Sequence, residues 1–134
     1  MRPKIQVLVL VQLLSILIMG CATMDVIPSE DMNDQVFIEG KTPVAHIYAA
    51  NYGLYLFKYI PLITGNLKHP DLGVTFFSDT VHLDLLMDRV MRKCKELDGT
   101  IVTDLRSTDK SSWIPFLLIF WLNEYEITAN VSRD

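Results

Sequence analysis

Residues 79–98 read DTVHLDLLMDRVMRKCKELD, and the fold class turns on how this stretch is paired with the rest of the chain. Leu83, Leu86, Val90, Cys94 and Leu97 recur in steps of three and four, which places them on one stripe of an α-helix. Val81, Met87 and Met91 widen that stripe. Ser78, Asp79 and Thr80 offer N-cap side chains, and Gly99 offers a left-handed residue to end the helix. Asp79, Asp84 and Asp88 come early, while Arg89, Arg92, Lys93 and Lys95 come late, the order that complements the helix dipole. The spacing predicts a helix over Asp79–Asp98 whose apolar stripe must be covered by other elements.

The flanking segments read as strands. Thr100–Arg106 follows directly with β-branched content, and Ser107–Ser112 reads as a polar turn. Trp113–Val131 reads as one long strand or two consecutive ones. In its second half Tyr125, Ile127, Ala129 and Val131 alternate with Glu124, Glu126, Thr128 and Asn130. Upstream, Val44–Asn51 is a strand between Pro43 and Tyr52-Gly53. Leu54–Ile63 is ambiguous between a short strand and a packed apolar loop, because Pro61 interrupts it. Residues 64–66 and 68–73 carry turn signals. The expected fold is therefore α+β in β-α-β-β order. A small antiparallel or mixed sheet of three to four strands carries the helix on one face. A right-handed crossover joins the first strand to the one at Thr100 if those two are parallel.

Outside that domain, residues 42–134, the chain begins with a different kind of segment. Met1-Arg-Pro-Lys4 is basic, and Ile5–Met19 is apolar apart from Gln6, Gln12 and Ser15. That is the pattern of a secretory signal peptide, and it is short for a membrane-spanning helix, which needs about 20 apolar residues. It ends in Ile18-Met19-Gly20-Cys21, which resembles the lipobox of bacterial lipoproteins, with Ile18 at the aliphatic position and Gly20 at the small one. The resemblance covers only Met1–Cys21. It implies removal of residues 1–20, lipid on Cys21 and a membrane-anchored place in the bacterial cell envelope, facing the periplasm or exterior. With Ala22 after the cysteine, the pattern resembles that of outer-membrane-directed lipoproteins where the host has two membranes. The β-α-β-β order also resembles units of small envelope lipoproteins. Residues 21–41, rich in acidic and turn-forming residues, read as a tether.

Composition narrows the function classes. The 134-residue chain carries a formal charge of −4, and loss of Arg2 and Lys4 leaves 10 basic residues against 16 acidic ones. Such a balance gives no overall footprint for nucleic acid or anionic headgroups, so a membrane partner is held through covalent lipid. Cys21 and Cys94 are the two cysteines. With Cys21 acylated no intramolecular disulfide remains, and Cys94 on the helix stripe reads as a buried apolar residue in preference to a reactive thiol.

Several groups are candidates for chemistry. Trp113–Leu122 is apolar on alternate and intervening positions alike, with a tryptophan near each end. Trp113, Phe116, Phe120 and Trp121 are its candidate binding residues. The readings are a strand buried between layers, a contact in a homo-oligomer or with an envelope protein, or a membrane-interface contact. Tyr52, Tyr55 and Tyr59 mark an alternative, a ligand pocket between the helix and residues 52–59. His46, His69 and His82 lack metal-ligand spacing, so neither metal nor cofactor is expected. Glu124 and Glu126 share a strand face and read as the solvated face of an edge strand before an acid–base pair. No Gly-x-Ser-x-Gly or phosphate loop occurs. The sequence therefore points to a non-enzymatic lipoprotein with a structural or interaction role. The alternative is a periplasmic ligand-binding or sensory module.

Overall fold

In the computed structural model the described residues are 7–8, 11, 22–31, 40–68, 73–115 and 119–134. Among them are six strands, a short 3-10 turn at Ser29–Asp31 and a regular helix of fourteen residues. The strands are β1 (Thr23–Pro28), β2 (Thr42–Leu56), β3 (Ile60–Gly65), β4 (Val74–Phe76), β5 (Ile101–Trp113) and β6 (Phe120–Arg133), and the helix α1 is Leu83–Glu96. All pairings are antiparallel, in the order β4-β3-β2-β6-β5 with β1 also on β2. The expected three- to four-stranded sheet in β-α-β-β order is thus corrected to a six-stranded antiparallel sheet. Among the described residues no strands pair in parallel: β5 pairs with β6, and β6 with β2.

β2 is the spine. Along one edge it pairs with β6 from Thr42 to Leu56. Its other edge is divided, with β1 on Ala45–Ala50 and β3 on Gly53–Leu56. Where β1 and β3 meet, Gly65 lies so close to Asn51 and the Ala22 backbone that a Cβ would have no room. Residues 23–28, expected as tether, are therefore part of the sheet. Met24 and Val26 alternate with Asp25 and Ile27, which is the period of a strand and not of a flexible stem.

Two bulges account for the other differences. Pro61 is tolerated in β3 because the ladder shifts between Leu54 and Tyr55, leaving it opposite Tyr55 beside the irregularity. In β5 the register shifts between Thr103 and Arg106, and Asp104 adopts φ 49°. The strand then continues through Ser107–Ser112, the stretch expected as a polar turn. Those residues are polar because β5 is an edge strand, and polar and charged side chains keep an edge from pairing with other chains. The turn of the β5–β6 hairpin lies beyond Trp113 instead.

The helix covers one face of the sheet. Leu86, Val90 and Cys94 pack on Ile47, Ala49, Ile127, Ala129 and Val131, with Leu67 completing the core. Alanines at 49 and 129 let the helix approach closely. Gly99 serves close packing, since a Cβ there would collide with Val131, while Asp98 takes the left-handed conformation at φ 54°. The helix starts at Leu83 with His82 as N-cap and no side-chain cap bond. The residues expected to cap it do other work: Thr80 Oγ1 donates to the Gly65 carbonyl (2.6 Å), and Asp79 accepts from Tyr55.

Candidate functional site

The end of the sheet where β2, β4 and β5 finish and β3 and β6 begin collects the exposed aromatic residues. Trp113 stands opposite Trp121 in the β5–β6 ladder, and Leu56 stands opposite Phe120 in β2–β6. Phe57 and Tyr59 lie in the β2–β3 turn, and Phe76 and Phe77 close β4. Tyr59 is 80% exposed, Phe77 77% and Phe57 56%, fractions unusual for side chains of this size. Backbone bonds stitch the turns together: Phe57 N donates to the Ile119 carbonyl (2.7 Å), Ile114 N to that of Phe120 (3.1 Å) and Phe77 N to that of Leu62 (3.1 Å).

The turns are held in an unfavoured form. Phe57 and Lys58 have φ of 50° and 73°, and Tyr59 N donates to the Leu56 carbonyl, as in a type I′ turn. Such turns favour Asn-Gly, and a bulky residue there costs of the order of 1 kcal/mol or more. Phe77 at φ 54° is a third case. Phe57 and Phe77 thus place bulky aromatic side chains at backbone positions that favour glycine. Described residues 54–63, 73–77, 111–115 and 119–122 contain no Asp or Glu and a single charged residue, Lys58. Its ammonium lies 5.4 Å from the Trp121 ring centroid, a cation–π contact.

Of the expected binding residues, Trp113, Phe120 and Trp121 thus share this end. Phe116 lies outside the described residues, as do Cys21 and His69. Trp113 and Trp121 sit on the strands bordering a hairpin turn, not within one two-faced strand buried between layers. Phe57, Phe76 and Phe77 were not legible as part of the group, because only the topology brings three separate turns to one end. The Val-Thr-Phe-Phe run at 74–77 ahead of Ser78-Asp79 was the available signal.

A concavity of about 310 Å³ opens near the N-terminus of α1. Tyr55, Tyr59, Asp79, His82, Asp109 and Asn123 are among its lining residues. Tyr52 is absent from it, being on the opposite sheet face. Tyr55 Oη donates to Asp79 Oδ1 at 2.6 Å, and the same oxygen accepts from Val81 N (3.2 Å) and lies 3.7 Å from His82 Nε2. Burial, then this bond to Asp79, pushes the Tyr55 phenol well above its ordinary pKa. Tyr55 and Asp79 are accordingly engaged with each other, in a structural clasp between β2 and the loop before the helix.

Glu124 and Glu126 lie on the face opposite the helix. They belong to β6, which is interior to the sheet, so the expected edge-strand setting is corrected. Glu126 Oε1 accepts from Lys110 Nζ (2.9 Å) and Tyr48 Oη (3.2 Å). The bond to Lys110 holds Glu126 below the usual carboxylate range, whereas burial and then Glu126 itself raise Glu124. Burial likewise raises Tyr52 beside Tyr48 and Glu124. The pair can share a proton between unlike environments, but both carboxyls interact with neighbours on their own face. On the same face His46 Nδ1 lies 2.6 Å from Asn130 Oδ1. Among the described residues no three His, Cys, Asp or Glu side chains gather as a metal cluster. Cys94 is buried and its thiol is raised by desolvation.

Among the described residues no helix is long and apolar enough to cross a membrane. No family model matches the chain, and no curated protein or solved structure matches it.

Proposed function

We propose that this chain is a bacterial cell-envelope lipoprotein, anchored through lipid on Cys21, with a non-catalytic structural or interaction role. In this reading the aromatic end of the sheet rests in the interface of the bilayer that holds the lipid. The supporting observation is that end itself: exposed aromatic side chains from three turns, with Lys58 the one charged residue in described stretches 54–63, 73–77, 111–115 and 119–122, and with Asp79 and Asp109 confined to the cleft that Tyr59 also lines. Aromatic rings with a lone cation suit the headgroup region, where amphipathic rings settle.

The path of the chain agrees with this orientation. β1 starts two residues after Cys21, with Thr23 opposite Ala50, and runs antiparallel to β2. The chain thus enters β1 from the side of the aromatic end, which lies about 20 Å further along β2 at a rise of roughly 3.3 Å per residue. Two or three acyl chains convert marginal membrane binding into stable anchoring. Growth of the host with radiolabelled fatty acid tests the anchor. Label is expected in wild type and absent from Cys21→Ser, and label persisting in the mutant contradicts the proposal.

The cleft beside Tyr55 and Asp79 favours a second reading, a periplasmic ligand-binding or sensory module. That reading expects a small molecule released in stoichiometric amount when the purified protein is denatured. None released, with tryptophan contact to lipid intact, decides for the first.

A further inference from the structure

The helix flank that does not face the core presents Arg89, Arg92, Lys93 and Glu96, spaced along one side of α1. Across from it stand Met24 and Val26 of β1 and Leu67-Lys68 of the loop after β3. Between them lies a cleft of about 350 Å³. Four cations therefore surround it against one carboxylate, and Glu96 Oε2 is already bonded to Lys93 Nζ at 2.9 Å. This concentration of positive charge stands out in a chain whose net charge is −4. A helix dipole alone accounts for basic residues in the last turn, but not for Lys68, which belongs to another element, nor for Arg89 in mid-helix.

Arg89 carries the decisive detail. Its Nη1 is buried and has no hydrogen-bond partner. Burial and the neighbouring Arg92 both press its guanidinium toward lower pKa. A shielded guanidinium N–H without an acceptor is costly, and folded chains rarely leave one so. An anion in the cleft, which Arg89 and Arg92 both line, would relieve the repulsion between the two guanidinium groups. Met24, Val26 and Leu67 give the same cleft an apolar side, suited to the carbon skeleton attached to the anion.

We infer that this cleft is a binding site for a phosphate ester. Arg89 and Arg92 take the phosphate oxygens with their planar forks, Lys68 and Lys93 add charge from either side, and the apolar residues take the glyceryl or alkyl part. A phosphate matches the donor set because it offers several acceptor oxygens to converging guanidinium and ammonium groups. The ester is either a free metabolite or the headgroup of an anionic phospholipid. Neither source depends on whether Cys21 is acylated.

The test uses the full purified chain in nonionic detergent, titrated calorimetrically with sn-glycerol 3-phosphate. In parallel the protein is reconstituted in phosphatidylcholine vesicles with and without phosphatidylglycerol, and its unfolding temperature is measured. Saturable binding of the soluble ester, weakened about tenfold or more by Arg89→Gln and by Arg92→Gln, identifies a free phosphate ester. No binding of the soluble ester, with a rise in unfolding temperature specific to phosphatidylglycerol and lost in both variants, identifies the lipid headgroup. Arg92 is exposed, so Arg92→Gln remains informative if Arg89→Gln fails to fold. Lys95→Gln, at the same helix end but outside the cleft, is expected to bind as wild type. Absence of both responses overturns the inference, as does binding that Arg92→Gln leaves intact or that Lys95→Gln weakens equally.

Discussion

Trp113 and Trp121 face each other directly across the β5–β6 ladder, one strand position from the turn that joins them. They are the two tryptophans of the chain, and both lie in described stretches, 111–115 and 119–122, that contain no Asp or Glu. The topology assembles the aromatic end of the sheet from the β2–β3 turn, the close of β4 and the β5–β6 hairpin. The sheet face away from the helix, by contrast, holds His46, Glu124, Glu126 and Asn130.

The helix stripe sets how much stability depends on covering the sheet. Leu86 is fully buried, whereas Leu83 in the first turn is 37% exposed. Leu86→Ala is expected to lower unfolding free energy by about 2–5 kcal/mol, and Leu83→Ala by less than about half as much. Urea denaturation followed by far-UV circular dichroism measures both. Equal losses would show that the stripe is not packed as described.

Thr80 ties the loop before the helix to the sheet. Its hydroxyl donates to the Gly65 carbonyl and lies 2.7 Å from Thr64 Oγ1, which itself donates to the Ser78 carbonyl (2.7 Å). Thr80→Val keeps the shape and removes the hydroxyl. Because the group is buried, the loss is expected at about 1–3 kcal/mol, with the denaturant slope unchanged.

The sheet face away from the helix makes a pH prediction. A carboxyl raised in the folded chain holds its proton more tightly there than when unfolded, so stability falls as pH climbs through its folded range. Glu124 is of this kind, through burial first and Glu126 second. Glu126, lowered chiefly by Lys110, contributes stability that is present above the ordinary carboxylate range and lost as pH falls through its own lower range. Glu124→Gln is therefore expected to raise the unfolding temperature at pH 7, with the gain vanishing below about pH 4, where the wild-type carboxyl is protonated. Glu126→Gln is expected to lower it at pH 7. Thermal scans across pH decide the signs.

Cys94 supplies a kinetic check on the core. It is buried, and its Sγ donates to the Gly99 carbonyl at 3.5 Å. A thiol reagent is expected to modify it only as fast as the chain opens, and quickly in denaturant. Rapid modification under native conditions would place the helix stripe elsewhere.

The parts of the fold legible in the sequence were those with a sustained period. Leu86, Val90 and Cys94 gave the helix through steps of four, although its start lies at Leu83 and not Asp79, because Asp79 and Thr80 bond to neighbours outside the helix. Ile127, Ala129 and Val131 gave the buried face of β6 through alternation. The missed strands lacked such a signal or contradicted it. β1 is six residues long, β5 is polar in its second half because it is an edge, and the Phe57–Lys58 turn has neither Gly nor Asn. The candidate site was legible as an apolar run at Trp113–Leu122, but not as a surface. Phe57, Phe76 and Phe77 join it only through β2, β3 and β4 lying side by side. The basic cleft was hidden likewise, since Lys68 and Arg89 are 21 positions apart in the chain.

Depth-dependent quenching of Trp113 and Trp121 tests the membrane contact most directly. The lipidated full chain is reconstituted in vesicles containing lipids brominated close to the glycerol backbone, as wild type and as Trp113→Phe and Trp121→Phe. Intact mass establishes the acyl chains on Cys21 independently. Strong quenching is expected in wild type and in both variants, greatest where Trp113 is the remaining fluorophore. Unquenched fluorescence from protein shown to carry lipid on Cys21 would mean that the aromatic end stands clear of the bilayer, and would contradict the proposed contact.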